Sequence, residues 1–365
     1  MKRAATIAIV AAAGLIGTAA LVVAAACLGS GCSAGVCYVA QSVGGHVDLM
    51  NRARPVVDWL ADGETPDALR ERLELSQRLR DFAVAELRLP DGASYRRYAD
   101  LGRPAAVWNV VAAPELSLQL KTWCFPVVGC VGYRGYYARD AADALAGELR
   151  AEGWEALVQP VPAYSTLGKL EWAGGDPLLS TFIRWPEGEL ARLIFHELAH
   201  QVVYVKGDTT FNESFATAVE RLGVRRWLDE HASAQARDEY ARLDARRQQF
   251  RALTLAARRE LEAIYAGDAP DDAKRAAKAQ AFARLRAEHE RLKRDEWGGF
   301  AGYDAWFERA NNAALGLQAA YTELVPGFER AFDACRGDFD CFYDRVRALA
   351  RLPKDERHAT LRAVQ

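Results

Sequence analysis

Ile194-Phe195-His196-Glu197-Leu198-Ala199-His200, followed by Phe211-Asn212-Glu213-Ser214-Phe215-Ala216, is the stretch from which the rest of the chain can be read. On a helix, residues four apart lie one above the other with Cβ atoms on the order of 6 Å apart, so both imidazoles can reach one metal ion. Two neutral imidazoles and a carboxylate, with a fourth position left to water, are the ligands of a catalytic zinc site and not of a closed structural one. Glu197 lies beside the histidines but off their line, where it can take a proton as general base. The third ligand must come from elsewhere. A turn at Lys206-Gly207-Asp208 precedes a second helix opened by Asn212 and Glu213, and a helical hairpin of that length can return Glu213 to the histidines.

These two motifs resemble the gluzincin metallopeptidases, whose thermolysin-like and alanyl-aminopeptidase-like members carry the third ligand in an Asn-Glu motif on the helix after His-Glu-x-x-His. Glu220 also matches a glutamate often found after that motif in the aminopeptidase branch. Twelve residues separate His200 from Glu213 here, a shorter interval than those families use, and Glu220 would restore the longer one. Glu220 therefore competes for the ligand role. The letters around Glu213 favour it as ligand, with Glu220 and Asn212 hydrogen-bonded behind the ligands.

A closer resemblance covers nearly the whole chain. Tyr38-Val39-Ala40-Gln41 before Met50, Gly132-Tyr133-Arg134-Gly135-Tyr136-Tyr137, Tyr164-Ser165-Thr166-Leu167-Gly168, Asp176-Pro177-Leu178-Leu179-Ser180 and Asn311-Asn312-Ala313 are similar to a bacterial family labelled putative aminopeptidase. The resemblance implies an exported, membrane-associated protein with a zincin-like core, one Zn2+ ion and a peptide substrate. The chain departs from it in carrying Lys169-Leu170-Glu171-Trp172-Ala173-Gly174-Gly175 before Asp176, where a shorter aromatic-acidic link is expected.

The 365 residues, half of them hydrophobic, can bury one large core or two coupled ones. With 47 basic and 49 acidic residues the formal net charge is −2, so no global basic field points to nucleic acid. Lys2-Arg3 and the apolar run from Ala4 to Cys27 read as an export signal or a retained membrane anchor. Either places the remainder in the cell envelope, facing the periplasm. Cys32, in Gly29-Ser30-Gly31-Cys32-Ser33, stands where an exported lipoprotein would be lipidated. Cys124 with Cys130 and Cys335 with Cys341 each enclose five residues and read as two local disulfides in an oxidising compartment.

Three regions are expected: 1–32 as signal or anchor, 33–228 as the catalytic core, and 229–365 as a helical region packed on it. Helices are expected over Val39 to Leu60, from Thr65 as N-cap with Pro66 at the first helical position toward Leu87, and over Arg139 to Glu152. Ala105 to Val111, Lys121 to Phe125, Val127-Val128 and Trp154 to Gln159 read as strands of a small sheet with an edge open to a peptide. Beyond Glu187 nearly everything reads as helix: Glu187 to Val205, Asn212 to Leu228, Glu230 to Ala266 and, past Gly267-Asp268-Ala269-Pro270, Asp271 to Arg294 as an antiparallel partner. The fold class is thus α+β, mostly α.

Tyr303, Asn311 and Asn312 are candidates for contacts to a transition state or substrate, set against a reading as packed aromatic and buried amides. His46, His231, His289 and His358 read as surface or packed histidines, and Ser165 lacks the setting of a nucleophile. For a free amino terminus, Glu115, Glu171 and Asp176 are the acidic candidates. The motifs point to a zinc peptidase, and that it is an aminopeptidase is what the resemblance implies. An envelope endopeptidase and a helical scaffold protein are the rivals.

Overall fold

The computed structural model describes residues 34–363 apart from 126–128, 164, 167, 169–170 and 321–322. The apolar run from Ala4 to Cys27, Cys32 and the strand expected at Val127-Val128 lie outside the described residues. The chain divides into two compact units, 1–53 and 54–365, the first containing the described helix α1 (Ala34–Arg52). Among the described residues, no helix is long and apolar enough to cross a membrane.

The helix expected as far as Leu60 breaks before Pro55. Proline lacks the N–H a helix needs and disfavours helical backbone at the residue before it, so Arg54 and Pro55 form strand β1 (Arg54–Pro55) and helix α2 (Val56–Ala61) starts afresh. Helix α3 (Asp67–Ala85) has Pro66 in the N-cap position. Thr65 does not cap it: its hydroxyl donates to the Trp59 carbonyl at 2.7 Å and ties the turn to α2.

Three small sheets follow. Strands β2 (Arg97–Ala99), β3 (Val107–Pro114), β4 (Trp123–Phe125), β5 (Gly129–Val131) and β6 (Arg134–Tyr136) precede helix α4 (Arg139–Ala151) and strands β7 (Trp154–Val161) and β8 (Leu178–Leu179). One sheet has the order β6-β3-β7, both pairs antiparallel, with Val107 opposite Val161 and Pro114 opposite Trp154. A second, β1-β2-β8, pairs β2 with β8 in parallel. The hairpin β4-β5 sets Cys124 opposite Cys130, and the two are joined as a disulfide.

Helices α5 (Glu187–Ala199) and α6 (Thr209–Glu230) form the central hairpin. Gly223 lets α6 approach both α5 and the segment after α3: a Cβ there would stand 2.5 Å from Leu87 Cδ1 and 2.9 Å from the Phe195 ring. Leu190, Ile194, Phe195 and Leu198 on α5 and Phe211, Phe215, Val219 and Trp227 on α6 are buried. Ser233 caps the next helix by accepting from the Ala236 N–H, so α7 (Ala234–Ala266) begins four residues later than its charge pattern suggests. Helix α8 (Asp271–Asp295) runs antiparallel to it, with Gln249 bonded to Glu296 and Arg284 to Glu260.

This arm is not solvated throughout. Phe250, Leu261, Phe282, Leu292, Trp297 and Phe307 bury a second apolar cluster along it. Helices α9 (Asp304–Arg309), α10 (Asn312–Ala320), α11 (Val325–Ala334), α12 (Phe339–Ala350) and α13 (Lys354–Ala363) complete the chain. Cys335 and Cys341 form a disulfide between the end of α11 and the start of α12. The protein is α+β and mostly helical.

Candidate metal centre

Helical backbone continues through His200 (φ −59°, ψ −21°) just past the last turn of α5, which keeps the four-residue register with His196. The two imidazoles stand edge to face, with ring centroids 4.9 Å apart. Their Nε2 atoms both face one oxygen of Glu213: Oε2 lies 3.2 Å from His196 and 3.7 Å from His200. Glu220 stands on the other side of His196, with Oε2 2.9 Å from Nδ1. Its second oxygen is 3.2 Å from Arg192 Nε. A carboxylate at Nδ1 fixes that nitrogen as the proton carrier and leaves Nε2 to a ligand on the Glu213 side.

Burial lowers the His196 imidazole, but the carboxylates of Glu213 and Glu220 outweigh it and hold the pKa up to about 10. For His200 burial prevails over Glu213, and the pKa falls to about 4. Glu220 is held down to about 2, since Arg192 and His196 more than offset its burial. Each imidazole answers to its own neighbours. The arrangement fits a metal: two imidazole nitrogens and one carboxylate oxygen lie within 4.8 Å of one another, with one Glu213 oxygen facing both Nε2 atoms. This donor set suits zinc.

Glu197 also meets the 165–176 segment that precedes the short strand β8. Its side chain hydrogen-bonds Ser165, and burial, with Glu213 and Asp176 adding to it against His196, pushes its pKa up to about 7. The Ser165 hydroxyl is also 3.3 Å from Asp176 Oδ2, and the Thr166 N–H donates to both Asp176 oxygens at 3.0 and 2.9 Å. Asp176 is buried, and burial raises its pKa to about 6. Glu171 accepts from the Ala93 and Ser94 backbone N–H groups, the Ser94 hydroxyl and Gln201 Nε2, the residue directly after His200. Gly175 (φ 64°) lies so close to the Ser94 backbone that a Cβ would overlap it, which packs the 171–176 turn onto the 93–95 loop.

The structure brings His196, His200, Glu213, Glu197 and Glu220 together. It does not bring the other candidates to them. Asn212 turns back to Val205, donating to its carbonyl and accepting from its N–H, both at 2.8 Å, and so closes the loop between α5 and α6 instead of backing a ligand. Asn312 holds the end of β3 by donating to the Pro114 and Glu115 carbonyls, and Asn311 accepts from the Ala314 N–H at the start of α10. Tyr303 stacks on Phe250 with centroids 4.5 Å apart, in the apolar cluster of the arm. Their polar groups are spent on packing. Glu115 pairs with Arg275 on α8, whereas Asp176 does act on Glu197 and Glu171 is held at Ser94 and Gln201.

Tyr95, Ser94, Gln201 and Arg192 carry no sequence signal that ties them to the site, and Ser165, which lacks the setting of a nucleophile, is a hydrogen-bond partner of Glu197. No periodicity relates these loops. His289 was read without ligand-like neighbours, yet Glu290 and Asp304 flank its two nitrogens at 3.5 and 3.3 Å. One atom of each of the three lies within 4.8 Å of the others, but the Lys293 ammonium stands among them and bonds Asp304, so the group is built as an ion-paired cluster.

A family model described as "Putative aminopeptidase" matches residues 37–361. No curated protein and no solved structure matches the chain.

Proposed function

The chain belongs to the putative aminopeptidase family, and from that membership together with the convergence of His196, His200 and Glu213 we propose a zinc-dependent peptidase with a zincin-like core. The observation that carries this reading is the single Glu213 oxygen facing both Nε2 atoms, with Glu197 beside them. His196, His200 and Glu213 would hold one Zn2+ ion. Bound there, zinc supplies Lewis-acid polarisation of the scissile carbonyl and makes water a stronger acid.

The chain's own residues do the rest. Glu197 takes the proton of the attacking water and returns it to the leaving amine, and its burial, which raises its pKa, favours its taking that proton. Ser165 holds one side of that carboxylate. Glu220, fixed by Arg192, keeps His196 oriented.

Cleavage from the amino end rests on the family. Because the oxygens of Glu171 and Asp176 are already engaged by the loops, an endopeptidase that needs no acidic site for a free amine is the second reading. Location in the envelope is supported by the apolar segment before Ala34 and by the two disulfides.

The test compares wild type with Glu197→Gln on free-amine and amino-blocked peptides after zinc loading. The variant should retain equal zinc and lose about 10²–10⁴-fold in turnover. Equal turnover in the two would sink the mechanism, and cleavage of blocked peptides alone would select the endopeptidase.

A further inference from the structure

Tyr95 stands outside the set that would hold the ion, yet two costly features coincide at it. Its backbone sits at φ 63°, a left-handed conformation that bulky side chains adopt only when their surroundings force it. Its hydroxyl is buried and has no hydrogen-bond partner among the described residues, although the residue is only 1% exposed. A phenylalanine would fill the same space without leaving a donor unpaired.

The surroundings that impose the backbone conformation are those of the candidate site. The Tyr95 N–H donates to the Asp176 carbonyl at 2.6 Å, and its own carbonyl accepts from Gln77 Nε2 at 3.0 Å. Arg80 Nε holds the preceding Ser94 carbonyl at 3.1 Å, while Glu171 and Gly175 pin Ser94 from the other side. Contact then runs from Asp176 through Ser165 to Glu197. Burial raises the phenol well above its usual pKa, and among charges Glu197 bears on it most, ahead of Asp176 and Glu171. Tyr95 is thus a neutral donor held in a strained pose near carboxylates, and its proton is unspent.

On the reading of Glu197 as general base, we propose that Tyr95 is its positioning residue: the hydroxyl donates to the Glu197 carboxylate while that group moves between the water it deprotonates and the amine it protonates. Ser165 holds the carboxylate from one direction, and Tyr95 would complete its orientation. No bond other than hydrogen bonds is made or broken at Tyr95. A buried donor without a resting partner is what such a role requires, because the partner approaches only during turnover.

The experiment is Tyr95→Phe in the full chain, loaded with zinc and assayed on free-amine peptides. The expected result is a fall in kcat of about 10–100-fold, as for loss of other orienting partners, with KM within about twofold of wild type. Zinc content should equal wild type, and Tm should be unchanged or higher, since an unpaired buried donor has been removed. An unchanged kcat overturns the inference while leaving the peptidase reading intact. A fall in kcat accompanied by a lower Tm or lost zinc overturns it too, by showing a structural role. If zinc-loaded wild type cleaves none of the peptides, the peptidase reading fails and this one fails with it.

Discussion

At the scale of single residues, the two histidines of the motif are chemically unequal. His196 lies between Glu213 and Glu220 and holds its protons strongly, whereas His200 is buried with Nδ1 unpartnered among the described residues and is already neutral. To ligate through Nε2, His196 must give up the proton it shares with Glu213. Metal uptake should therefore displace about one proton near pH 7, and apparent zinc affinity should rise roughly tenfold per pH unit toward the His196 pKa of about 10. Calorimetric titrations in buffers of different ionisation enthalpy measure this directly, and a heat independent of buffer would contradict it. The two glutamates should also separate. Glu213→Ala should abolish stoichiometric zinc, while Glu220→Gln, which touches only the far nitrogen, should weaken zinc by about 10–100-fold. Chelator competition distinguishes them, and the reverse order would assign Glu220 as the ligand.

At the scale of elements, the hairpin of α5 and α6 carries the site, and its geometry depends on contacts made far from the ligands. Asp208 caps α6 through the Phe211 N–H, Asn212 closes the loop onto Val205, and Gly223 lets the helices approach at the opposite end. Gly223→Val should force Phe195 aside and cost about 1–3 kcal/mol as overpacking, with weaker zinc binding because His196 follows Phe195 on the same helix. Denaturant melts paired with zinc titration test this, and a lower midpoint with unchanged zinc affinity would show that the ligands are set by the loop alone. This is also where sequence legibility ends. His196, Glu197 and His200 can be read because four-residue spacing on one helix is a local property. Choosing Glu213 over Glu220 depends on the path of a turn, and the Asn212 amide was assigned to the ligands when it serves that turn. The 93–95, 165–166 and 171–176 loops meet over some eighty residues of sequence without periodicity, so Tyr95 and Ser165 gave no signal. Thr65 looked like a cap because the local letters fit, but a carbonyl on the preceding helix was the better acceptor.

At the scale of the whole molecule, the C-terminal helices complete the metal hairpin. Phe211 and Phe215, on either side of Glu213, are fully buried against Phe328 of α11 with centroids 5.2 and 5.7 Å away, and Phe215 also meets Tyr343 of α12. The Leu324 N–H donates to the Ser214 hydroxyl at 3.2 Å, directly beside the candidate ligand Glu213. Farther on, Asp208 receives Arg357 and His358 of α13 at 3.0 and 2.9 Å in a buried cluster, so one carboxylate serves both as cap of α6 and as anchor of the last helix. Removing Arg357 leaves His358 as the partner of the buried Asp208 carboxylate, so only part of the about 3–5 kcal/mol of a fully uncompensated buried charge is lost. Arg357→Ala should therefore destabilise the 54–365 unit by part of that amount. It should also reduce zinc affinity, though Arg357 touches no candidate ligand, because the Asp208 carboxylate that loses a partner caps α6 one turn before Glu213. Replacing both partners, with Asp208→Asn in the Arg357→Ala background, should recover part of the lost stability, since the asparagine still accepts from the Phe211 N–H without a buried charge. Thermal melts and zinc competition on the two variants decide the matter: if Arg357→Ala melts like wild type, or if the double variant is less stable than the single one, α13 does not support the metal hairpin through Asp208.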